Sequence, residues 1–175
     1  MKKIIVLAVS LIMILCAVCV SAEEAGKTEI GTLNVNGAFS IRSRVPEGYT
    51  HMPVTATDLN IVVMLSAGED KPLITVSIAY NDEFADVERF NDVDEATVQE
   101  IRDSFTEVDE KASFEDLETA YGTRLLKVTS DGIVDIYTIY KGYELEFVMT
   151  GSNLSDADTQ ILVDFISNMD FVTVE

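Results

Sequence analysis

The chain has 175 residues, 31 acidic and 12 basic, and a net charge of −19 at pH 7. Such a charge repels nucleic-acid phosphates and anionic lipid headgroups, so the composition argues against nucleic-acid binding. It could attract cations or basic partners, although a solvated acidic surface is the simpler interpretation.

The first 22 residues have the pattern of a secretory signal peptide. Two lysines precede a run over residues 4–20 that is apolar except for Ser10, and Val20-Ser21-Ala22 places compact residues at the cleavage position. An uncleaved membrane anchor is the alternative, but the apolar run is slightly shorter than a bilayer span usually requires. We expect cleavage after Ala22, a secreted or extracytoplasmic product, and no membrane insertion after cleavage.

Cleavage would leave a mature chain without cysteine, because Cys16 and Cys19 both lie in the signal. Disulfides, a thiol nucleophile and cysteine-ligated metal are then excluded. The predicted organisation is a signal peptide over 1–22, a polar tether over 23–32 and a single α+β domain over 33–175.

Two hairpins are predicted in the first half of the domain. Asn36-Gly37 lies inside an apolar alternation over 33–41 and is the preferred two-residue turn, in which both residues have positive φ. The phrase Val45-Pro46-Glu47-Gly48-Tyr49 ends the second strand. Asn60–Ser66 and Leu73–Tyr80 predict the next two strands and the second hairpin.

A first helix is predicted to begin near Asp92, after a polar connector with room for a helical turn. Asp92 and Glu95 have capping-box spacing. An apolar stripe follows at helical spacing, and it consists of Val98, Ile101, Phe105 and Val108. The next segment, Ser113 to Ala120, fits either a short helix or an extended strand.

The last helix follows a second capping-box pair, Ser155 and Asp158. Its apolar stripe consists of Ile161, Leu162, Phe165, Ile166 and Met169. The hydrophobic tail at Phe171 and Val172 is predicted to pack against the domain.

The stretch from Tyr121 to Gly151 predicts a three-stranded antiparallel meander. A two-residue turn at Lys141-Gly142 places Tyr140 opposite Tyr143. Counting outward then gives the remaining pairs: Thr138 with Leu145, Ile136 with Phe147, Val134 with Met149, Ile139 with Glu144, Tyr137 with Glu146, and Asp135 with Val148.

The first turn of the meander allows two registers. A two-residue turn at Asp131-Gly132 places Lys127 opposite Ile136, on the apolar face. A three-residue turn that also includes Ser130 places Lys127 opposite Asp135. We predict the second register because it keeps the lysine off the core and gives it a partner.

In this register the final helix covers the face that carries Val128, Val134, Ile136, Leu145, Phe147 and Met149. The opposite face carries Leu125, Tyr137 and Ile139 among charged residues, and is apolar enough to need a second helix or a loop over it. The prediction is an α+β fold in which helices flank an antiparallel β-sheet, an α/β/α sandwich.

The order of these elements resembles the Mog1/PsbP-like superfamily. The phrases Phe39-Ser40-Ile41, Val45-Pro46-Glu47-Gly48-Tyr49 and Tyr121-Gly122-Thr123-Arg124-Leu125-Leu126 carry the local similarity, which extends over about residues 33–172. The superfamily includes photosystem accessory proteins, a binder of a small GTPase and exported bacterial proteins. The resemblance implies a largely non-catalytic binding or assembly module, and no functional residue carries over from it.

The sequence predicts no catalytic, cofactor-binding or metal site. His51 is the only histidine, and the sequence has no Gly-x-Ser-x-Gly nucleophile elbow for which it could act as a base. The sequence also lacks a set of zinc ligands and a glycine-rich phosphate loop. Carboxylates are plentiful, but the chain has no tryptophan to form a sugar platform. Oxygen ligands are plentiful at 81–83 and 91–95, and the second string resembles the start of a calcium loop without its required glycine and glutamate spacing.

We therefore expect an exported, non-enzymatic module that binds a protein or an envelope component, without a cofactor. The alternatives are a hydrolase that uses acidic residues and a calcium-binding envelope protein. One contact surface is considered, and it consists of Tyr137, Tyr140, Tyr143, Glu144 and Glu146.

Overall fold

The computed structural model describes residues 30–52, 54–57 and 60–173, so the predicted signal peptide lies outside the described residues. The strands within these ranges are β1 (Ile30–Val35), β2 (Phe39–Arg44), β3 (Thr50–His51), β4 (Thr55–Ala56), β5 (Asn60–Ser66), β6 (Leu73–Tyr80), β7 (Ser113–Glu118), β8 (Arg124–Ser130), β9 (Ile133–Tyr140), β10 (Tyr143–Thr150) and β11 (Asp170–Thr173). The helices are α1 (Glu95–Val108) and α2 (Asp156–Ser167), with two short 3-10 helices at Asp82–Phe84 and Phe90–Asp92.

The strands form two antiparallel sheets. The smaller sheet has the order β1-β2-β11, and the larger sheet has the order β3-β5-β6-β10-β9-β8-β7, with β4 also paired to β5. Two helices accompany these sheets, which confirms the predicted α+β class with an antiparallel sheet.

Both predicted hairpins are confirmed. Asn36 and Gly37 have φ values of 49° and 75°, and β1 pairs with β2 across them. Strands β5 and β6 pair with each other and have the predicted bounds. Strand β1 begins at Ile30, so residues 30–32, predicted as part of the tether, extend the first hairpin.

The register of β9 and β10 is also confirmed. Tyr140 pairs with Tyr143 across the two-residue turn, and every pair counted outward from it occurs in the structure. Lys141 and Gly142 both have positive φ, as this type of turn requires. Each side chain of these two strands therefore lies on the predicted face of the sheet.

The predicted register of β8 against β9 is wrong by one residue. Ser130 pairs with Ile133 across a two-residue turn, so Lys127 lies opposite Ile136 and not opposite Asp135. Because side chains alternate along a strand, this difference moves every residue of β8 to the other face.

Burial on both faces of the sheet explains the observed register. Leu126 and Val128 pack beneath α1, whereas Leu125 packs on the α2 side, the reverse of the prediction for Leu125 and Val128. Lys127 keeps its charge out of the core because β7 lies beside it at the sheet edge. Its Nζ lies 2.9 Å from a carboxylate oxygen of Glu115 on that strand.

The N-cap of helix α1 lies two residues later than predicted. Its N-cap is Asp94, whose carboxylate accepts a hydrogen bond from the backbone N–H of Thr97 at 2.9 Å. Asp92 belongs to the preceding 3-10 helix and accepts from the backbone N–H of Arg89. The predicted capping box of Asp92 and Glu95 is therefore wrong, because the 3-10 turn already occupies Asp92.

The apolar stripe of α1 is shorter than predicted, because Val108 is 70% exposed at the last residue of the helix. The capping box of Ser155 and Asp158 at α2 is confirmed. The ambiguous segment is extended, since Ser113 to Glu118 form the edge strand β7. The apolar tail packs as predicted, by forming β11 beside β2.

The two helices pack against different core clusters. The cluster of α2 contains residues of the smaller sheet together with Val134, Ile136, Leu145, Phe147 and Met149 of the larger sheet. The cluster of α1 contains residues of both 3-10 helices together with Leu126, Val128, Tyr137 and Ile139 of the larger sheet. We call these two sides of the larger sheet the α2 face and the α1 face.

Candidate functional site

Three carboxyl groups lie on the α1 face of the larger sheet, at the centre of its strand order. Asp135 belongs to β9, and Glu144 and Glu146 belong to the neighbouring strand β10. Glu146 pairs with Tyr137, two residues beyond Asp135, and on its other side pairs with Ser77 of β6. The strict alternation of side chains in strands places all of these groups together on one face.

All three carboxyl groups are buried. The exposed fractions are 9% for Asp135, 6% for Glu144 and 7% for Glu146, and Tyr137 between them is completely buried. We call Asp135, Glu144, Glu146 and Tyr137 the carboxyl cluster. Charged groups are rarely buried in this way unless they are paired, so the partners of each group decide its ionisation.

Glu144 has two hydrogen-bond donors. The Tyr137 hydroxyl donates to Glu144 Oε1 at 2.7 Å, and Asn81 Nδ2 donates to Glu144 Oε2 at 2.9 Å. Asp135 differs, because its buried Oδ1 has no hydrogen-bond partner. None of the ion pairs among the described residues includes Asp135, Glu144 or Glu146.

The electrostatics of the cluster favour protonated carboxyl groups. Burial raises the pKa of Asp135 to about 7. Burial, together with the negative charges of Asp135 and Glu144, raises the pKa of Glu146 to about 9. Burial also raises the pKa of Glu144, and the hydrogen bonds from Tyr137 and Asn81 oppose that increase.

Two neighbouring carboxyl groups that are buried without a cation do not both ionise readily, because like charges repel strongly in a medium of low polarity. At neutral pH we therefore expect Asp135 and Glu146 to carry no more than one negative charge between them. A neutral carboxyl group in this position can donate a hydrogen bond, which an ionised group cannot do.

Helix α1 and the two 3-10 helices form a layer over the α1 face, which we call the helical layer. Aromatic side chains from this layer cover the cluster. Phe90 of the second 3-10 helix and Phe105 of α1 approach the Tyr137 ring edge-on, at centroid distances of 5.6 and 6.2 Å. Arg124 of β8 lies over the Phe90 ring, with its guanidinium carbon 5.4 Å from the ring centroid. These contacts hold the helical layer over the carboxyl groups.

The arginines nearest this cover are already paired with other carboxylates. Arg124 pairs with Glu95 of α1 at 2.7 Å and with Asp116 of β7 at 3.0 Å. Arg102 of α1 pairs with the same Asp116 at 2.7 Å. This network joins α1 to the sheet edge and leaves the carboxyl cluster without a cation.

A separate open groove lies between β2, the loop after it, α2 and Tyr121, and has a volume of about 860 Å³. Its lining consists of Arg42, Ser43, Arg44, Val45, Pro46, Glu47, Tyr121, Ile161, Asp164, Phe165, Asn168 and Asp170. We call it the β2–α2 groove. No residue of the carboxyl cluster lines it, so the buried acids and this concave surface are separate features of the molecule.

The predicted tyrosine and glutamate contact surface is wrong. Tyr137, Tyr140, Glu144 and Glu146 are all buried, and only Tyr143 is partly exposed. Alternation also divides the five residues, because Tyr140 and Tyr143 lie on the α2 face and the other three lie on the α1 face.

The acidic strings considered for calcium supply helix caps in the structure. Asn81 caps the first 3-10 helix by accepting from the backbone N–H of Glu83, and Asp94 caps α1. Among residues 30–52, 54–57 and 60–173, no group of three or more histidine, cysteine, aspartate or glutamate side chains has the arrangement of a metal site. His51 is exposed on the short strand β3.

Sequence reasoning missed the carboxyl cluster although it had the register of β9 and β10. That register already placed Tyr137 and the three acids on one face. The erroneous pairing of Lys127 with Asp135 supplied an apparent counter-charge and concealed the cluster. The useful signal was three acids at alternate positions on adjacent strands, on a face that an apolar helix covers.

Comparisons with known proteins give no relative for this chain. No protein-family model, curated protein or solved structure matches it. No helix in the described part of the chain is long and apolar enough to cross a membrane.

Proposed function

We propose that the chain is an exported, non-enzymatic module that binds another protein or an envelope component through the β2–α2 groove. The lining of the groove carries the proposal. Arg42 and Arg44 extend from one strand and take part in none of the ion pairs among the described residues. Tyr121, which is 59% exposed, lies beside an apolar floor that includes Ile161 and Phe165.

This lining suits a segment of a partner protein. Arginine and tyrosine are enriched in protein interfaces, and a guanidinium group binds a carboxylate through two parallel hydrogen bonds. Asp164 and Asp170 line the same groove and offer acceptors for a basic group of the partner. The partner segment that fits has an apolar centre with charges of both signs around it.

We also propose that the fold is an α/β/α sandwich of the Mog1/PsbP-like type. Support comes from the separate core clusters of α1 and α2 on the two faces of one antiparallel sheet. The order of hairpins, helix, meander and C-terminal helix supports the same assignment. The superfamily's largely non-catalytic members agree with a binding role, although fold alone does not establish one.

Substitutions in the groove test the proposed function. The purified wild-type chain and the variants Arg44→Glu and Tyr121→Ala are used as bait in pull-downs from the native cell envelope. Lys111→Glu is the matched control, because Lys111 is exposed and lies outside the groove. We expect a partner that the wild type and Lys111→Glu retain and both groove variants lose. Equal capture by all four chains, or no specific capture, would contradict the proposal.

A second candidate function is a hydrolase that uses acidic residues, and the raised pKa values of Asp135 and Glu146 favour it, because such shifts are common in catalytic acids. A panel of hydrolase substrates tests this candidate. Turnover that Glu146→Gln abolishes and Glu107→Gln leaves intact would replace the binding proposal with the enzymatic one.

A further inference from the structure

The carboxyl cluster lies at the contact between the larger sheet and its helical layer. Tyr137 contacts Phe90 and Phe105 from that layer. Asn81, which caps the first 3-10 helix, donates to Glu144. The cluster is therefore attached to the cover by one polar and two aromatic contacts, and a change in its charge affects residues on both sides of this contact.

The cluster includes a polar group with nothing to satisfy it. Asp135 is 9% exposed, and its Oδ1 makes no hydrogen bond in the described part of the chain. An ionised carboxylate in that position would leave Oδ1 without water and without a donor, which is costly in a protein interior. The neutral acid is the form that the site accommodates.

Among the described residues, the surrounding elements contribute further acids to the cluster and no cation that pairs with it. From its own sheet, Glu146 experiences the negative charges of Asp135 and Glu144. From the first 3-10 helix, Glu83 adds a further negative charge that acts on Glu144. On the opposite side of the cluster, Ser77 of β6 pairs with Glu146 and carries no charge.

Three cations on the adjoining elements have other partners. Arg102 of α1 and Arg124 of β8 pair with Asp116, and Arg124 also pairs with Glu95. Lys127 lies on the opposite face of the sheet and pairs with Glu115. Arg89, at the N-cap of the second 3-10 helix, is exposed to solvent, and none of the ion pairs among the described residues joins a cation to Asp135 or Glu146.

We propose that Asp135 and Glu146 make the attachment of the helical layer pH-dependent: α1 and the 3-10 helices cover the pair while it holds at least one proton, and a second negative charge loosens this cover. Opening admits water to the carboxyl groups and so stabilises their ionised form. The buried acids among the described residues all lie on the α1 face, so the α2 face does not respond.

Hydrogen exchange followed by mass spectrometry tests this proposal, with the full chain measured from pH 6 to pH 9 and corrected for intrinsic exchange. One proton released on opening increases the opening equilibrium constant about tenfold per pH unit. As the pH rises, we expect peptides from residues 82–108 to lose protection by this factor. Peptides from α2 should show no comparable loss. Glu146→Gln should reduce the dependence, and the double variant Asp135→Asn/Glu146→Gln should remove it.

Glu107→Gln is the matched control, because Glu107 lies exposed on α1 away from the cluster. It should exchange like the wild type at every pH. If a cluster variant fails to fold, the wild-type comparison of residues 82–108 with α2 still decides. Protection in residues 82–108 that does not change with pH, or that falls equally in α2, would overturn the proposal.

Discussion

The two faces of the larger sheet are both buried but differ in what is buried. On the α2 face, Phe147, Ile136 and their neighbours form an apolar cluster with α2 and the smaller sheet. On the α1 face, a similar apolar cover encloses three carboxyl groups and a tyrosine hydroxyl. Apolar packing is indifferent to pH, whereas buried acids link stability to proton binding. One sheet thus supports two layers whose stability depends on pH to different extents.

The largest effect on stability is expected from truncating a buried side chain on the α2 face. Phe147 is completely buried there, so Phe147→Ala leaves a cavity and should reduce the free energy of unfolding by about 3–5 kcal/mol. Urea unfolding at pH 6 and pH 9 should give the same loss at both values, because the buried carboxyl groups among the described residues all lie on the other face. Val108→Ala, at an exposed position, is the control and should change stability by less than about 0.5 kcal/mol. A strongly pH-dependent loss in Phe147→Ala would remove the distinction between the faces.

Neutralising Glu146 should stabilise the chain at high pH. Its pKa is about 9 in the folded chain against an ordinary 4.5, so folding takes up a proton between these values. The stability that protonation provides is present below pH 4.5 and is lost as the pH rises toward 9. Glu146→Gln stays neutral and should exceed the wild type by roughly 2–4 kcal/mol at pH 9, with little difference at pH 5. Thermal unfolding across this pH range, with Glu107→Gln as control, measures this difference in stability. Parallel curves of stability against pH for the wild type and Glu146→Gln would refute the prediction.

Removing one hydroxyl from each face gives a matched comparison. The Tyr137 hydroxyl donates to Glu144 at 2.7 Å, and the Tyr140 hydroxyl donates to the backbone carbonyl of Phe171 at 3.3 Å. Tyr137→Phe should cost about 1–3 kcal/mol, because it leaves a buried carboxyl oxygen of Glu144 without its donor. Tyr140→Phe should cost about 0.5–1.5 kcal/mol and show less pH dependence. Chemical denaturation of both variants checks the order, and a larger loss in Tyr140→Phe would contradict it.

The smallest effect concerns the register of β8. Lys127 and Glu115 form an ion pair whose side chains are 19% and 58% exposed, so a double-mutant cycle with Lys127→Met and Glu115→Gln should give a coupling of about 0.2–1 kcal/mol. A cycle of Lys127→Met with Asp135→Asn should give no coupling, because these side chains lie on opposite faces. Coupling in the second cycle but not in the first would favour the three-residue turn instead.

Local signals in the sequence predicted most of the fold. Asn36-Gly37 and Lys141-Gly142 each specify a two-residue turn, and a turn of known length sets the pairing of the strands on either side. The register of β8 could not be decided in the same way. Its Lys127 is favourable only because β7 brings Glu115 beside it, and the sequence left β7 open between helix and strand.

The candidate sites were harder to predict than the strands. The β2–α2 groove joins residues from β2, from Tyr121 and from α2, and no local pattern shows that these segments meet. The ionisation of Asp135 depends on the depth of its burial and on the missing cation. Both are properties of the packed layers, and alternation along a strand shows only that the acids share a face.

We expect a carboxyl group beneath α1 to stay protonated at neutral pH. Nuclear magnetic resonance titration of carboxyl carbons in the wild type and in Glu146→Gln tests it directly. We predict one glutamate signal that titrates near pH 9 and disappears in the variant, far above the ordinary glutamate pKa of 4.5. Titration of every glutamate signal below about pH 6 would contradict the claim.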